Sequence, residues 1–143
     1  LVFSLCFNCM LKLNYFKLEK KYISVILKEM SNKTLFQKII DREIPSEIIY
    51  EDVFCIAIND VDPQAPIHVL LIPKKPIPKL SDCTNEDKDL LAHLMLTVKK
   101  VAVKLNIDDA FRVNINNGED AGQEIFHLHI HILGGRKFNW PPG

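Results

Sequence analysis

The chain has 143 residues, a length that suits one domain with a real hydrophobic core. Its 18 Lys and Arg balance 18 Asp and Glu, but unevenly: residues 1–30 hold five Lys against two Glu, so residues 31–143 are slightly acidic. That body lacks the basic stripe needed to neutralise many phosphates, which excludes polymeric nucleic acid as a partner but not a mononucleotide.

Residues 1–30 differ from the rest. Leu1 to Leu11 is apolar but too short to span a bilayer as a helix, so membrane insertion is not expected. The segment lacks a basic start and a small-residue cleavage site, and it holds no Arg, so neither a secretory signal nor a mitochondrial presequence fits. It reads as an N-terminal extension (a gene-model artefact, a disordered leader or a targeting segment), with Met30 as a natural start for a domain over 31–143. Cys6 and Cys9 form a CxxC without a second pair, a weak metal or redox signal. Cys55 and Cys83 complete four scattered cysteines, which implies no disulfide framework and a reducing, cytoplasmic setting with nuclear access open.

From Thr34 onward the elements follow in order. Thr34 can cap a short helix with Leu35, Phe36, Ile39 and Ile40 on one side. Ile48–Glu51 and Phe54–Asn59 read as strands around a tight turn at Asp52. Ile67–Ile72 is a third strand, ended by Pro73, after which Pro76 and Pro78 keep the chain extended. Thr84 with Asp87 starts a long helix whose Leu90, Leu94, Val98, Val101 and Leu105 recur at helical spacing, with Met95 assigned to the same core. Phe111–Asn116 and His127–Leu133 supply the last strands. The fold class is α+β, with a five-stranded antiparallel sheet and two helices.

The most informative run is Phe126-His127-Leu128-His129-Ile130-His131-Ile132-Leu133, where polar and apolar residues alternate. On a strand this puts His127, His129 and His131 on one face and Phe126, Leu128, Ile130 and Ile132 in the core. Histidine titrates near neutral pH, so three in a row point to a site. One reading is metal. His127 and His131 would lie ~13 Å apart at ~3.3 Å per residue, so a zinc would need two of the three plus outside ligands such as His68. The other is an anion. Asn117-Gly118 and Gly122 are turn formers that allow positive φ and close backbone approach, so the loop before the row suits a phosphate cradle.

The run Gln123 to Arg136 resembles the signature of the histidine triad superfamily. Trp140-Pro141-Pro142-Gly143, Asp60 to His68 and Leu71-Ile72-Pro73-Lys74-Lys75 are similar to its histidine triad nucleotide-binding (Hint) branch. The likeness runs from about Thr34 to Gly143. It implies a histidine triad fold whose sheets join across a homodimer, the Trp140 tail lying near the partner's site. It implies a hydrolase of purine nucleoside 5′-phosphoramidates and acyl-nucleotides that releases a nucleoside monophosphate. In that chemistry His129 is the nucleophile, forming a nucleotidyl-histidine; His127 orients the row, and His131 and His68 bind phosphate oxygens or handle protons. A free imidazole with a pKa of ~6.5 is largely neutral and nucleophilic at pH 7, which suits this role.

By matching position, the resemblance gives Asp60 the ribose hydroxyls, with Asn59 beside it. Leu35, Phe36, Ile39, Ile58 and Val61 form a slot for the base, and Asn116, Gly122 and Gln123 form the phosphate loop. No metal or organic cofactor is implied. Two positions depart from animal members of the branch. Glu124 stands where they have Ser, as in similar bacterial members, and Asn59 replaces a histidine. The alternatives are a nucleotide-binding regulatory or scaffold protein with incidental catalysis, and a dinucleoside polyphosphate hydrolase. Gly134-Gly135-Arg136 and the tail argue against the latter, and His131, where the transferase branch has Gln, argues against transfer to a sugar phosphate.

Overall fold

A computed structural model describes residues 33–142. The extension over residues 1–30, its CxxC pair, and the termini at Ser31, Asn32 and Gly143 lie outside the described residues. Those described form two α-helices and five strands: α1 Leu35–Ile40, β1 Ile48–Glu51, β2 Cys55–Asn59, β3 Ile67–Pro73, α2 Lys88–Lys104, β4 Phe111–Asn114 and β5 Ile130–Gly134. The sheet is antiparallel throughout, in the order β1-β2-β3-β5-β4. No helix among these residues is long and apolar enough to cross a membrane.

Period-2 alternation in the central strands divides the core into two layers. Cys55 and Ala57 of β2, Val69 and Leu71 of β3, and Ile130 and Ile132 of β5 face α2, meeting Leu94, Val98 and Val101. Ile56, Ile58, Leu70 and Ile72 face the other way and pack on Phe36 and Ile39 of α1. His68 and His131 belong to this second face. His68 lies opposite Leu133 and His131 opposite Leu70, so the two histidines are diagonal neighbours across β3 and β5.

The helices start where the caps predict. The Thr34 hydroxyl accepts the Gln37 N–H at the head of α1. Thr84 and Asp87 form a reciprocal capping box on a 3₁₀ turn over Asn85–Asp87, which runs into α2. Leu94, Val98 and Val101 are buried as expected, but Met95 is 52% exposed and is not core. It sits one position beyond Leu94, so a helical turn of 100° carries it off the buried stripe.

Three strands are shorter than expected. The Asp52 carboxylate accepts the N–H groups of Phe54 and Cys55, which keeps Phe54 in the turn and starts β2 at Cys55. The fourth strand ends at Asn114 rather than Asn116. Most consequential, β5 starts at Ile130, so His127 and His129 precede the strand. The ladder pairs Leu71 with Ile130 and would next join Pro73 to Leu128. Pro73 has no N–H to give, and its carbonyl is taken by the His127 ring, so the pairing stops there. Leu128 N–H turns instead to the Ile77 carbonyl. Phe126, expected in the core, is consequently 46% exposed, while Leu128, Ile130 and Ile132 are buried.

Candidate active site

On the α1 side of the sheet lies a cleft of about 410 Å³. Leu35, Phe36, Ile39 and Ile58 make its apolar wall, with Ile44, Pro45 and Ile125 beside them. Asn59, Asp60, Val61, His68, Gly122, Glu124, His129 and His131 also line it. Fourteen residues were expected to form the site; the cleft brings eleven of them together, and His127, Asn116 and Gln123 are absent from its wall. The residues facing it include Val61, fully exposed at the mouth, and His129, only 7% exposed.

His127 does its work from behind. Its Nε2 lies 2.8 Å from the Pro73 carbonyl, which can only accept, so Nε2 carries the proton. Nδ1 must then accept, and it does so from the Thr34 hydroxyl at 3.2 Å. The His127 backbone carbonyl in turn accepts from His129 Nδ1 at 2.8 Å. In neutral His129 the remaining nitrogen, Nε2, therefore holds the lone pair. Phe36 packs its ring against His129 at 5.1 Å between centroids, limiting the imidazole's freedom. Burial lowers the pKa of His127, with the Pro73 carbonyl opposing, so His127 stays neutral.

A second relay ends on His131. The Gln64 backbone N–H donates to His68 Nδ1 at 3.1 Å, which makes Nδ1 the acceptor and puts the His68 proton on Nε2. That Nε2 lies 2.8 Å from His131 Nδ1, so His131 accepts there and carries its own hydrogen on Nε2. Among the described residues His131 Nε2 is buried without a hydrogen-bond partner. Its pKa is lowered to about 4, by burial first, then by His129 and His68, against a smaller raising effect of Asp60. His131 is thus a neutral donor at pH 7. Protonating Nδ1 would set it head-to-head against the His68 N–H, which the Gln64 amide holds in place.

Asp60 serves a turn and the cleft at once. Its Oδ1 accepts the Asp62 N–H at 2.9 Å, while Oδ2 lies 3.3 Å from His68 Nε2 and 3.9 Å from His131 Nδ1. Asn59 points to Glu47, its Nδ2 at 3.4 Å from Oε2. The loop over Asn116–Gln123 is braced internally. Gln123, 1% exposed, accepts from Gly118 N–H and donates to the carbonyls of Pro78 and Ile125. Asn116 donates to the Gly122 carbonyl. All of the Gln123 amide is committed, so of the three loop residues only Gly122 faces the cleft. Gly118 and Gly122 both take positive φ, as the turn reading expects.

Two residues that matter here escaped the sequence reading of the site. Thr34 was legible as a helix cap but not as the partner of His127, 93 positions away. Gln64 acts through its main chain, which side-chain identity cannot announce.

Among the described residues, two side-chain groups have donor atoms close enough to share a cation: Asp60, His68 and His131, and Asp52, Cys55 and His93. Neither fits one well. In the first, metal binding through His68 Nε2 requires moving its proton to Nδ1, against the Gln64 N–H. In the second, the Asp52 carboxylate already accepts from Tyr50, Phe54, Cys55 and His93. The Cys55 thiol is pushed up to about 12 by burial and by Asp52.

The family profile of the HIT domain matches residues 41–138. An uncharacterised HIT-like protein of Synechocystis is 62% identical over 114 residues, covering 80% of this chain and all of that one. A 14 kDa zinc-binding protein of Brassica juncea is 44% identical over 112 residues, covering 77% of this chain and 99% of its own. Among solved structures, a HIT family hydrolase from Legionella pneumophila superposes with a TM-score of 0.75 at 41% identity, covering 78% of this chain and all of that chain.

Proposed function

Because the chain belongs to the HIT family, we propose that it hydrolyses nucleoside 5′-phosphoramidates, and acyl-nucleotides with them, as a member of the Hint branch. The observation that carries this reading is the His129 tautomer: a carbonyl fixes the proton on Nδ1 and leaves the Nε2 lone pair for attack. His129 Nε2 bonds to the α-phosphorus as the P–N bond breaks, and the amine departs with a proton taken from solvent. Water then cleaves the nucleotidyl-histidine, releasing the nucleoside monophosphate and restoring His129. His131 Nε2–H donates to a phosphoryl oxygen, where charge grows in the transition state. The apolar wall takes the base, and Asp60 Oδ2 takes the ribose hydroxyls. The cation suggested by the Brassica relative's name has no part in this scheme.

A homodimer fits the same reading. Among the described residues β4 is an edge strand, the kind of element that can pair with a second copy, and Trp140 is 85% exposed. Light scattering of the chain in solution tests it.

The deciding experiment measures release of AMP from adenosine 5′-phosphoramidate by the parent and by His129→Ala. Turnover by the parent alone supports the hydrolase. Equal turnover removes His129 from its role, and AMP binding without turnover by either favours a nucleotide-binding module.

A further inference from the structure

The segment after β5 reaches back to the histidine relay through one guanidinium. Arg136 Nη2 donates to the Gln64 carbonyl at 3.2 Å, and the same ion stacks on the Phe138 ring, 4.3 Å from its centroid. Arg112 of β4 stacks on that ring as well, at 4.7 Å, and donates to the Asn139 carbonyl. The half-buried Phe138 is thus held by two cations. Gln64 lies in the loop between β2 and β3, where its N–H donates to His68 Nδ1 at 3.1 Å. The carbonyl and the N–H of Gln64 flank one α-carbon, and Pro63 and Pro66 restrict the dihedrals on either side. Holding the carbonyl therefore holds the amide.

We propose that Arg136 is a positioning residue: by fixing the Gln64 main chain it keeps the Gln64 N–H on His68, and so keeps His131 presenting an N–H to the cleft. The relay has two states. With the Gln64 amide in place, His68 Nε2–H donates to His131 Nδ1, and His131 offers its buried Nε2–H. With the amide displaced, His68 is free to carry its hydrogen on Nδ1. Its Nε2 then faces His131 Nδ1 with a lone pair, and His131 must move its own hydrogen to Nδ1 to keep the bond. That leaves His131 Nε2 an acceptor, turned toward a phosphoryl oxygen that also only accepts. On the hydrolase reading above, on which this step rests, a donor to the charge that grows in the transition state is lost. The loss falls on kcat and leaves KM.

The test compares the full chain with Arg136→Met and Arg112→Met. Each variant removes one cation from Phe138, but Arg136→Met alone removes the donor to Gln64. Nitrogen-15 NMR of the imidazoles, which needs no substrate, reads the tautomers. We expect His68 and His131 protonated on Nε2 in the parent and in Arg112→Met, and a fraction of both shifted to Nδ1 in Arg136→Met. With adenosine 5′-phosphoramidate, kcat should fall about fivefold in Arg136→Met, for the loss of one hydrogen bond, at unchanged KM. In Arg112→Met it should keep the parent value. Unchanged tautomers in Arg136→Met overturn the proposal, as does an equal shift in Arg112→Met, which would trace the effect to packing around Phe138. Shifted tautomers with a parent kcat overturn the link to catalysis. Failure of the parent to turn over overturns the hydrolase reading, while the NMR still decides whether Arg136 sets the tautomers.

Discussion

The backbone carbonyl of His127 accepts the Nδ1–H of His129 at 2.8 Å. One residue's main chain thus decides which nitrogen of the other is free, and the His127 ring is in turn pinned between Thr34 and Pro73. Nitrogen-15 NMR of the imidazoles at pH 7.5 should find His129 protonated on Nδ1, and His68, His127 and His131 protonated on Nε2. A His129 signal with the proton on Nε2 would sink the nucleophile assignment.

Thr34 joins two structures through one hydroxyl, which accepts from Gln37 N–H and donates to His127 Nδ1. Thr34→Val removes a helix cap and leaves a buried acceptor unpaired, a cost of about 2 kcal/mol together. Thr34→Ser keeps both bonds and should stay within about 0.5 kcal/mol of the parent. Urea unfolding of the two variants checks the difference.

Gln123 braces the loop through three hydrogen bonds to main-chain groups at Gly118, Pro78 and Ile125. Gln123→Leu should destabilise the fold by about 3 kcal/mol, since one buried N–H and two carbonyls lose their partner. Thermal unfolding measures this. Activity should fall with it, because Gly122 loses its support at the cleft.

Stability should decline in acid. His131 has a folded pKa of about 4, against an unfolded value near 6.5, and His127 is shifted the same way by burial. A depressed histidine favours the fold when neutral, so its contribution is complete above pH 6.5 and is lost as pH falls from there toward 4. For His131 alone this is on the order of 3 kcal/mol. Denaturant midpoints from pH 7.5 to 4 should fall in the parent and slope less in His131→Gln. A flat parent profile would contradict the assignment.

What the sequence by itself determined was local and periodic. Thr34 and the Thr84–Asp87 pair announce their helices because caps act within three residues. Alternation in β2 and β3 gives the sheet its two faces, and the order of motifs around the three histidines carries the family. Eleven of the fourteen expected site residues line one cleft for that reason. What only the tertiary structure decided is which polar atoms meet. Alternation put His127, His129 and His131 on one strand face, yet Pro73, with no N–H to extend the ladder, ends β5 at Ile130 and turns His127 into a brace. Gln123 reads as a phosphate contact, but its amide is spent on Gly118, Pro78 and Ile125. Hydrogen bonds depend on distances between groups far apart in sequence, and on main-chain atoms that every residue shares. The resemblance implies that four histidines serve one site; the carbonyl of His127 and the amide of Gln64 decide which nitrogens of His129 and His68 carry hydrogen.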